Sequence, residues 1–360
     1  MAYNNSSIIT NDSYIYLPKM DSTGETIAIA SSMVVTFLVA LLGNSVVIYV
    51  ILRVRSMQTA TNLLLVNLSV ADLVIAILNL PFKTVSTYML YYWPFGNPMC
   101  KLSAFCHIMI FFVSISSLMA IACERYAVIC KPRSLNRING TTYRIKHVVI
   151  VTWIAGVAGA SPMLKFFETT SSVCPDGRGI CEFCASTGWT IDALKVYSVV
   201  VLFSFFLFPL LVMSFAYINV GRTVWQSARN TRSMRRYKNH ERSTKSRITK
   251  ISLAMIFSFV IAWGPTFGKR MYSFLSEEAN RLEPEVRRKL YTLFHLLQYS
   301  NCALNPLLYS FMSQKFRQAF KLIYRRSVSG NRKFFTLGAQ SNISMVVPVS
   351  KDNQTSSTQL

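Results

Sequence analysis

The sequence predicts an all-α integral membrane protein, a seven-transmembrane helix bundle followed by a short amphipathic eighth helix. Three observations predict it. Of 360 residues, 52% are hydrophobic and only 15% charged, too apolar and too charge-poor a balance for a soluble chain of this size. Seven apolar runs, of about 20 residues or more, are long enough to cross a hydrocarbon layer. Lys and Arg concentrate in alternate loops, as they do on the cytoplasmic side of membranes.

The runs are Ile27 to Leu52, Thr61 to Tyr88, Met99 to Ile129, His147 to Leu164, Leu194 to Val220, Ile248 to Phe274 and Leu290 to Met312. The loops after runs one, three and five carry Arg53 and Arg55, then Lys131, Arg133, Arg137, Arg144 and Lys146, then a dense set from Arg222 through Lys245 and Arg247 to Lys250. With the C-terminal tail they hold about 25 Lys and Arg against three acids, Glu124, Glu241 and Asp352, which places them in the cytoplasm. The formal charge of +23 is therefore topological. A nucleic-acid binder sets its basic residues on a folded polar surface instead of between apolar runs, so no nucleic-acid partner is expected.

Residues 1–26 then form an extracellular segment. They carry N-x-[ST] sequons at Asn4, Asn5 and Asn11, candidate glycosylation sites, and lack the basic start and early apolar core of a cleavable signal. The bundle occupies 27–312. The stretch "SQKFRQAFKLIYRR", 313–326, puts Phe316, Phe320 and Ile323 on one face and basic residues on the other, as a helix lying on anionic lipid does. The tail, 327–360, is rich in Ser, Asn and Thr and reads as disordered.

Polar residues inside the apolar runs carry the functional argument. Asp72 stands near the middle of run two, where an ionised carboxylate costs about 2.5 kcal/mol or more and must face the bundle interior with partners. Asn44 in run one, Ser114 in run three, and Asn301 and Asn305 in run seven lie at similar depth. Such a cluster suits a small hydrated cation or a water network; the competing use is polar glue between helices. Cys100 and Arg125 bracket run three, and 25 residues span about 37 Å, so that helix crosses from one face to the other. Pro265 removes a helix hydrogen bond and kinks run six.

In order along the chain stand "GNSVV" (Gly43, Asn44), "NLSVAD" (Asn67 to Asp72), "CERY" (Glu124, Arg125, Tyr126), Trp153, "FPLLVMSFAY" (Pro209, Tyr217), "FVIAWGP" (Phe259, Trp263, Pro265) and "NPLLY" (Asn305, Pro306, Tyr309), one motif per run. Together they resemble the rhodopsin-like (class A) G-protein-coupled receptors, and most of all their neuropeptide receptors. The resemblance implies a receptor that binds a ligand outside and activates a heterotrimeric G protein inside, with arrestin and a receptor kinase as further partners. It makes Asp72, with Asn44, Ser114, Asn301 and Asn305, a sodium and water site, sodium being an allosteric modulator and not a cofactor. Glu124, Arg125, Tyr126, Tyr217 and Tyr309 become the coupling switch. Trp263, Phe259, Pro265, Ile115 and Pro209 become the layer that passes ligand binding inward. Some relatives pair the run-three arginine with an acid in run six; 18 residues before Trp263 this chain has Lys245 instead, leaving Glu124 and a hydrogen bond from Thr249 to hold Arg125.

Cys106, Cys123, Cys130 and Cys302 lie within or at the ends of runs and are expected as free thiols. Cys100, Cys174, Cys181 and Cys184 lie outside, where disulfides persist. In the family the cysteine heading run three bonds the second extracellular loop, for which three loop cysteines compete. Spacing from Trp189 and Tyr197 resembles peptide-receptor loops better for Cys184, which leaves Cys174 and Cys181 to close a small ring around "PDGRG".

For the ligand, His107 occupies the place of the aspartate of amine receptors and Tyr299 that of the retinal-binding lysine of opsins, which sets both readings aside. The expected binding residues are Lys83, His107, Phe111, Thr266, Phe267, Lys269, Arg270, His295, Gln298 and Tyr299, with Glu182, Glu277 and Glu278 near the rim. A peptide fits this polar and aromatic mouth best; the alternative is a small anionic ligand such as a carboxylate or nucleotide. A transporter or channel predicts internal repeats, and none is found; an enzyme would need a nucleophile with its base or metal-ligand spacing, also not found. The ending "STQL" has the form that PDZ domains take by strand addition, a candidate partner site at Thr358 to Leu360.

Overall fold

Proline decides where the long runs bend or break. A computed structural model describes residues 23–131, 138–174, 179–187, 190–229, 235–275 and 283–328. Asn4, Asn5, Asn11, Glu277, Glu278 and Thr358 to Leu360 lie outside these, as does the side chain of Lys245. Helix α1 (Thr23–Arg53) is unbroken. Helix α2 (Ala60–Leu78), capped by Thr59 accepting from the Asn62 amide, gives way at Asn79 to α3 (Leu80–Thr84), which has Pro81 in its first turn, and then to a π turn at Val85–Met89. Helix α4 (Gly96–Cys130) runs straight through the bundle, and α5 (Ile138–Ala160) is followed by the short α6 (Pro162–Phe166). Helix α7 (Ile191–Val201) passes through a π turn at Leu202–Leu207 into α8 (Phe208–Arg229), immediately before Pro209, whose missing N–H disturbs the ladder there. Helices α9 (Arg235–Leu275), α10 (Pro284–Met312) and α11 (Gln314–Val328) complete the chain, with Pro265 inside α9 and Pro306 inside α10.

Among the described residues six helical segments are long and apolar enough to cross a membrane: Thr23–Arg53, Ala60–Met89, Gly96–Cys130, Arg144–Phe166, Asp192–Gln226 and Thr249–Ser273. The protein is a multi-pass helical membrane bundle. The expectation of seven comparable apolar spans is corrected for α10. Its first turns carry Glu285, Arg287, Arg288 and Lys289, and farther along come His295, Gln298, Asn301 and Asn305, so its apolar content is diluted. It still packs against α1, α2 and α9 as a full member of the bundle.

The all-α expectation also needs amending. Phe167–Val173 (β1) and Ile180–Ser186 (β2) pair antiparallel, Ser172 opposite Cys181 and Thr169 opposite Cys184. Cys174 is bonded to Cys181 across the end of this hairpin, and Cys184 is bonded to Cys100 at the start of α4. Asn97 Oδ1 accepts from the Thr169 amide at 3.1 Å, a second tie between α4 and the hairpin.

Helix α4 is the axle: it packs on α2, α5, α8 and α9 and is buried over most of its length. Two close approaches explain small residues in the neighbouring helices. A Cβ at Gly159 would fall 2.4 Å from Phe112, and one at Gly43 would fall 2.7 Å from the Pro306 ring. Helix α11 lies against α1 and α10 with Phe316 and Ala319 buried, while Phe320 stays exposed. Its expected apolar face is thus divided, Phe316 and Ile323 packing on the bundle and Phe320 remaining exposed.

Candidate ligand and signalling site

At the hairpin end, the break at Asn79 and the π turn that follows bring the last residues of run two over the bundle. Lys83 Nζ stands 5.8 Å from the Trp93 ring centroid. Trp93 is itself fixed, its amide donating to the Glu182 carbonyl at 2.7 Å and its indole to the Gly96 carbonyl at 2.9 Å. Across the opening, the Tyr88 hydroxyl and His295 Nδ1 are 3.3 Å apart, and Gln298 donates to Thr266 Oγ1 at 2.6 Å, joining α10 to α9. Lys269 stands over the Tyr291 ring, and Arg270 lies near Tyr197 and Tyr291. Lys83, His107, Lys269, Arg270 and His295 are half-buried, retaining accessible surface within this region.

The floor is polar and then aromatic. Tyr299, 2% exposed, donates its hydroxyl to Asn79 Oδ1, and Asn79 Nδ2 donates to the Ser103 carbonyl and hydroxyl at 2.7 and 2.9 Å. Sequence reasoning passed over Asn79, Ser103, Trp93 and Tyr88. The signal was an asparagine two residues before Pro81 in an apolar run, where a buried amide needs hydrogen-bond partners from its neighbours. His107 packs 5.2 Å from Trp263 and 5.8 Å from Tyr299. Below them Phe111 touches Trp263 at 4.8 Å, Phe267 at 5.3 Å and Phe259 at 5.8 Å between centroids, and Phe206, in the π turn before Pro209, meets Phe267 at 4.9 Å. Phe111 and Phe267 are therefore placed in this stack rather than on an open wall, with Ile115 buried in the same cluster.

At mid-bundle, Asp72 is 1% exposed and accepts from Asn305 Nδ2 at 2.8 Å. Asn44 donates to the carbonyls of Ala40 and Cys302, each at 2.9 Å. The second bond has a clear cause: Cys302 is four residues before Pro306, whose ring supplies no N–H, so that carbonyl loses its helical partner and α1 provides one. The oxygens Asn44 Oδ1 and Asn301 Oδ1 are buried without a hydrogen-bond partner, and Ser114 is buried as well. One carboxylate with spare amide and hydroxyl oxygens is a donor set suited to a hard monovalent or oxygen-seeking cation and its waters. Asn67 belongs elsewhere: it accepts from Trp153 Nε1 at 2.8 Å and donates to Ser117 Oγ at 2.9 Å, tying α2, α4 and α5 together.

At the opposite end, Arg125 Nε is buried without a hydrogen-bond partner, with Glu124 and Tyr217 in electrostatic reach. Tyr309 donates its hydroxyl to Met255 Sδ at 2.7 Å, closing α10 onto α9. Tyr217 on α8 and Thr249 on α9 are buried, and Tyr126 packs 5.9 Å from Phe215. Cys106, Cys123, Cys130 and Cys302 are free.

A half-open polar mouth, an aromatic stack, a buried carboxylate and a buried arginine succeed one another along one bundle; this is the anatomy of a transmembrane receptor. The chain belongs to the family described as 7 transmembrane receptor (rhodopsin family), whose model matches residues 43–309, a family of receptors and not of enzymes. It is 29% identical to the RYamide receptor of Tribolium castaneum over 81% of this chain and 79% of that one. It is 29% identical to the growth hormone secretagogue receptor type 1 of Mus musculus over 87% and 85%, and 24% identical to neuropeptide FF receptor 2 of Mus musculus over 87% and 76%.

Proposed function

We propose that the protein is a peptide-activated receptor with seven spans, α10 being the seventh, that drives nucleotide exchange on a heterotrimeric G protein. The observation that carries the reading is the set of contacts found together in one bundle: His107 on Trp263, the Phe111 and Phe259 stack, Asp72 bonded to Asn305, and Tyr309 bonded to Met255. A ligand that moves Trp263 disturbs the stack. The kink at Pro265 then swings the inner half of α9, the Tyr309 to Met255 contact parts, and Arg125 becomes available to the G protein. Asp72, with Asn44, Ser114, Asn301 and Asn305, would hold a sodium ion and its waters in the resting state; a bound sodium supplies a charge that offsets the buried carboxylate, and agonist binding is coupled to its loss. Similarity to receptors named for RYamide and neuropeptide FF favours a peptide ligand over a small anion. Helix α11 would lie on anionic lipid as the eighth helix, Arrestin and a receptor kinase would act on the cytoplasmic face, and a PDZ domain would take Thr358 to Leu360. The test is a panel of amidated and free-acid peptides applied to cells expressing the chain, read by dissociation of G-protein subunits across several G-protein families. A peptide response lost in Arg125→Ala at equal surface expression is the expected result; silence toward peptides with a response to an organic acid would replace the peptide by the small anion.

A further inference from the structure

The mouth gathers positive charge without a carboxylate partner among the described residues. Lys83 approaches from α3, Lys269 and Arg270 from α9, and no described carboxylate stands within ion-pair distance of any of the three. The described acids whose partners are defined at this end look elsewhere, Glu285 to Lys289 at 2.8 Å and Glu168 to Thr187. The cations share one space. Both Lys83 and Arg270 act electrostatically on the His107 ring, and both Lys83 and Lys269 act on His295. Lys83 has instead an aromatic face, Trp93, which is pinned by two hydrogen bonds to the chain around it. A cation half-removed from water and left unpaired is costly, and several of one sign raise that cost together. A negative charge is what the described residues of this mouth lack.

We propose that Lys83 and Arg270 form an anion subsite that takes a carboxylate of the ligand, so that the activating peptide is acidic at the residue that reaches His107. The occupant being a peptide rests on the receptor reading above. Asn79, Tyr88 and Tyr299, already bonded to Ser103, His295 and one another, fix the floor beneath the subsite. A charge-assisted hydrogen bond to either cation makes the acid selective over its amide.

The test uses purified, detergent-solubilised full-length receptor and three probes: an equimolar pool of N-acetyl X-Glu-X tripeptide amides with X drawn from Phe, Leu, Tyr and Gly, the X-Gln-X twin, and an N-acetyl X-Gln-X pool with free C-terminal carboxylates. The readout is the shift in each variant's own unfolding temperature, measured at millimolar probe and constant ionic strength. The Glu pool or the free-acid pool should raise it by about 2 °C, and which of the two acts tells a side-chain from a C-terminal carboxylate. The neutral twin should give no shift. The shift should vanish in Lys83→Gln and Arg270→Gln and persist in Lys83→Arg and in the exposed Lys165→Gln. Acid pools no better than the neutral twin, or a shift that survives both neutralising variants, would overturn the subsite. Succinate reproducing the whole shift would overturn the peptide occupant. Because binding and not signalling is read, a failed subsite leaves a peptide-evoked G-protein response standing, and a failed response leaves the shift intact.

Discussion

The mouth and the middle of this bundle treat buried charge in opposite ways. At the mouth, three cations face a shared space with no described carboxylate to neutralise them. At mid-bundle a single carboxylate, Asp72, is enclosed by neutral amides, one of which is bonded to it while two spare amide oxygens remain without partners. Each site lacks one sign among its described residues: the proposed ligand carboxylate would complete one and the proposed sodium ion the other.

Four changes test that contrast, from the largest effect to the smallest. The mouth depends on the Cys100 to Cys184 bond, which closes a loop of 84 residues, whereas Cys174 to Cys181 closes one of 7. Loop-closure entropy makes these worth about 4 to 5 and about 2 to 3 kcal/mol, so Cys100→Ala should lower the unfolding temperature of purified receptor more than Cys174→Ala and abolish ligand binding first. Equal losses would mean that the hairpin is not held by α4.

The middle depends on close packing of α1 on α10. Gly43→Val drives a side chain into Pro306 and should cost about 1 to 3 kcal/mol, while Gly264→Ala, where a Cβ meets nothing nearer than 3.9 Å, should be tolerated in the same thermal assay. Next, replacing sodium by N-methylglucamine should destabilise the wild type by about 1.4 kcal/mol if sodium stands at ten times its dissociation constant. Asp72→Asn should remove that difference while reaching the cell surface normally. A sodium effect that persists in the variant would move the ion elsewhere.

The smallest effect concerns the resting state. If position 245 faces Arg125, as the family resemblance implies, Lys245→Glu should add an ion pair worth about 1 kcal/mol or less and lower ligand-independent G-protein activity. A rise in that activity would show that Lys245 does not oppose Arg125.

Much of the bundle was legible because membrane spans leave a long, coarse signal: six of the seven runs stand out again as apolar helices. Run seven was legible by its motif more than by its apolarity, since Gln298, Asn301 and Asn305 put polar side chains on its buried face. The hairpin at Phe167–Val173 and Ile180–Ser186 was not legible. Its stretches are short and polar, and only the pairing register and the two disulfides bring them into alignment. Nor could the sequence show that Asn79 bridges to Ser103 and Tyr299, because that contact is created by the break before Pro81 and joins three helices at once. Nor could the sequence show that Phe111, expected among the ligand-binding residues, stacks on Trp263, Phe259 and Phe267, since those contacts join separate helices.

The bond from Asn44 to the Cys302 carbonyl has a mechanical meaning. It grips α10 at the one point where Pro306 has cut its own ladder, and Gly43 lets the gripping helix press against the proline ring without slack. A rod pinned at its weakest point cannot slide; it can only seesaw. With α1 as the fulcrum, a push on the outer end of α10, where His295 and Gln298 sit, would be carried as a displacement of Tyr309 at the inner end.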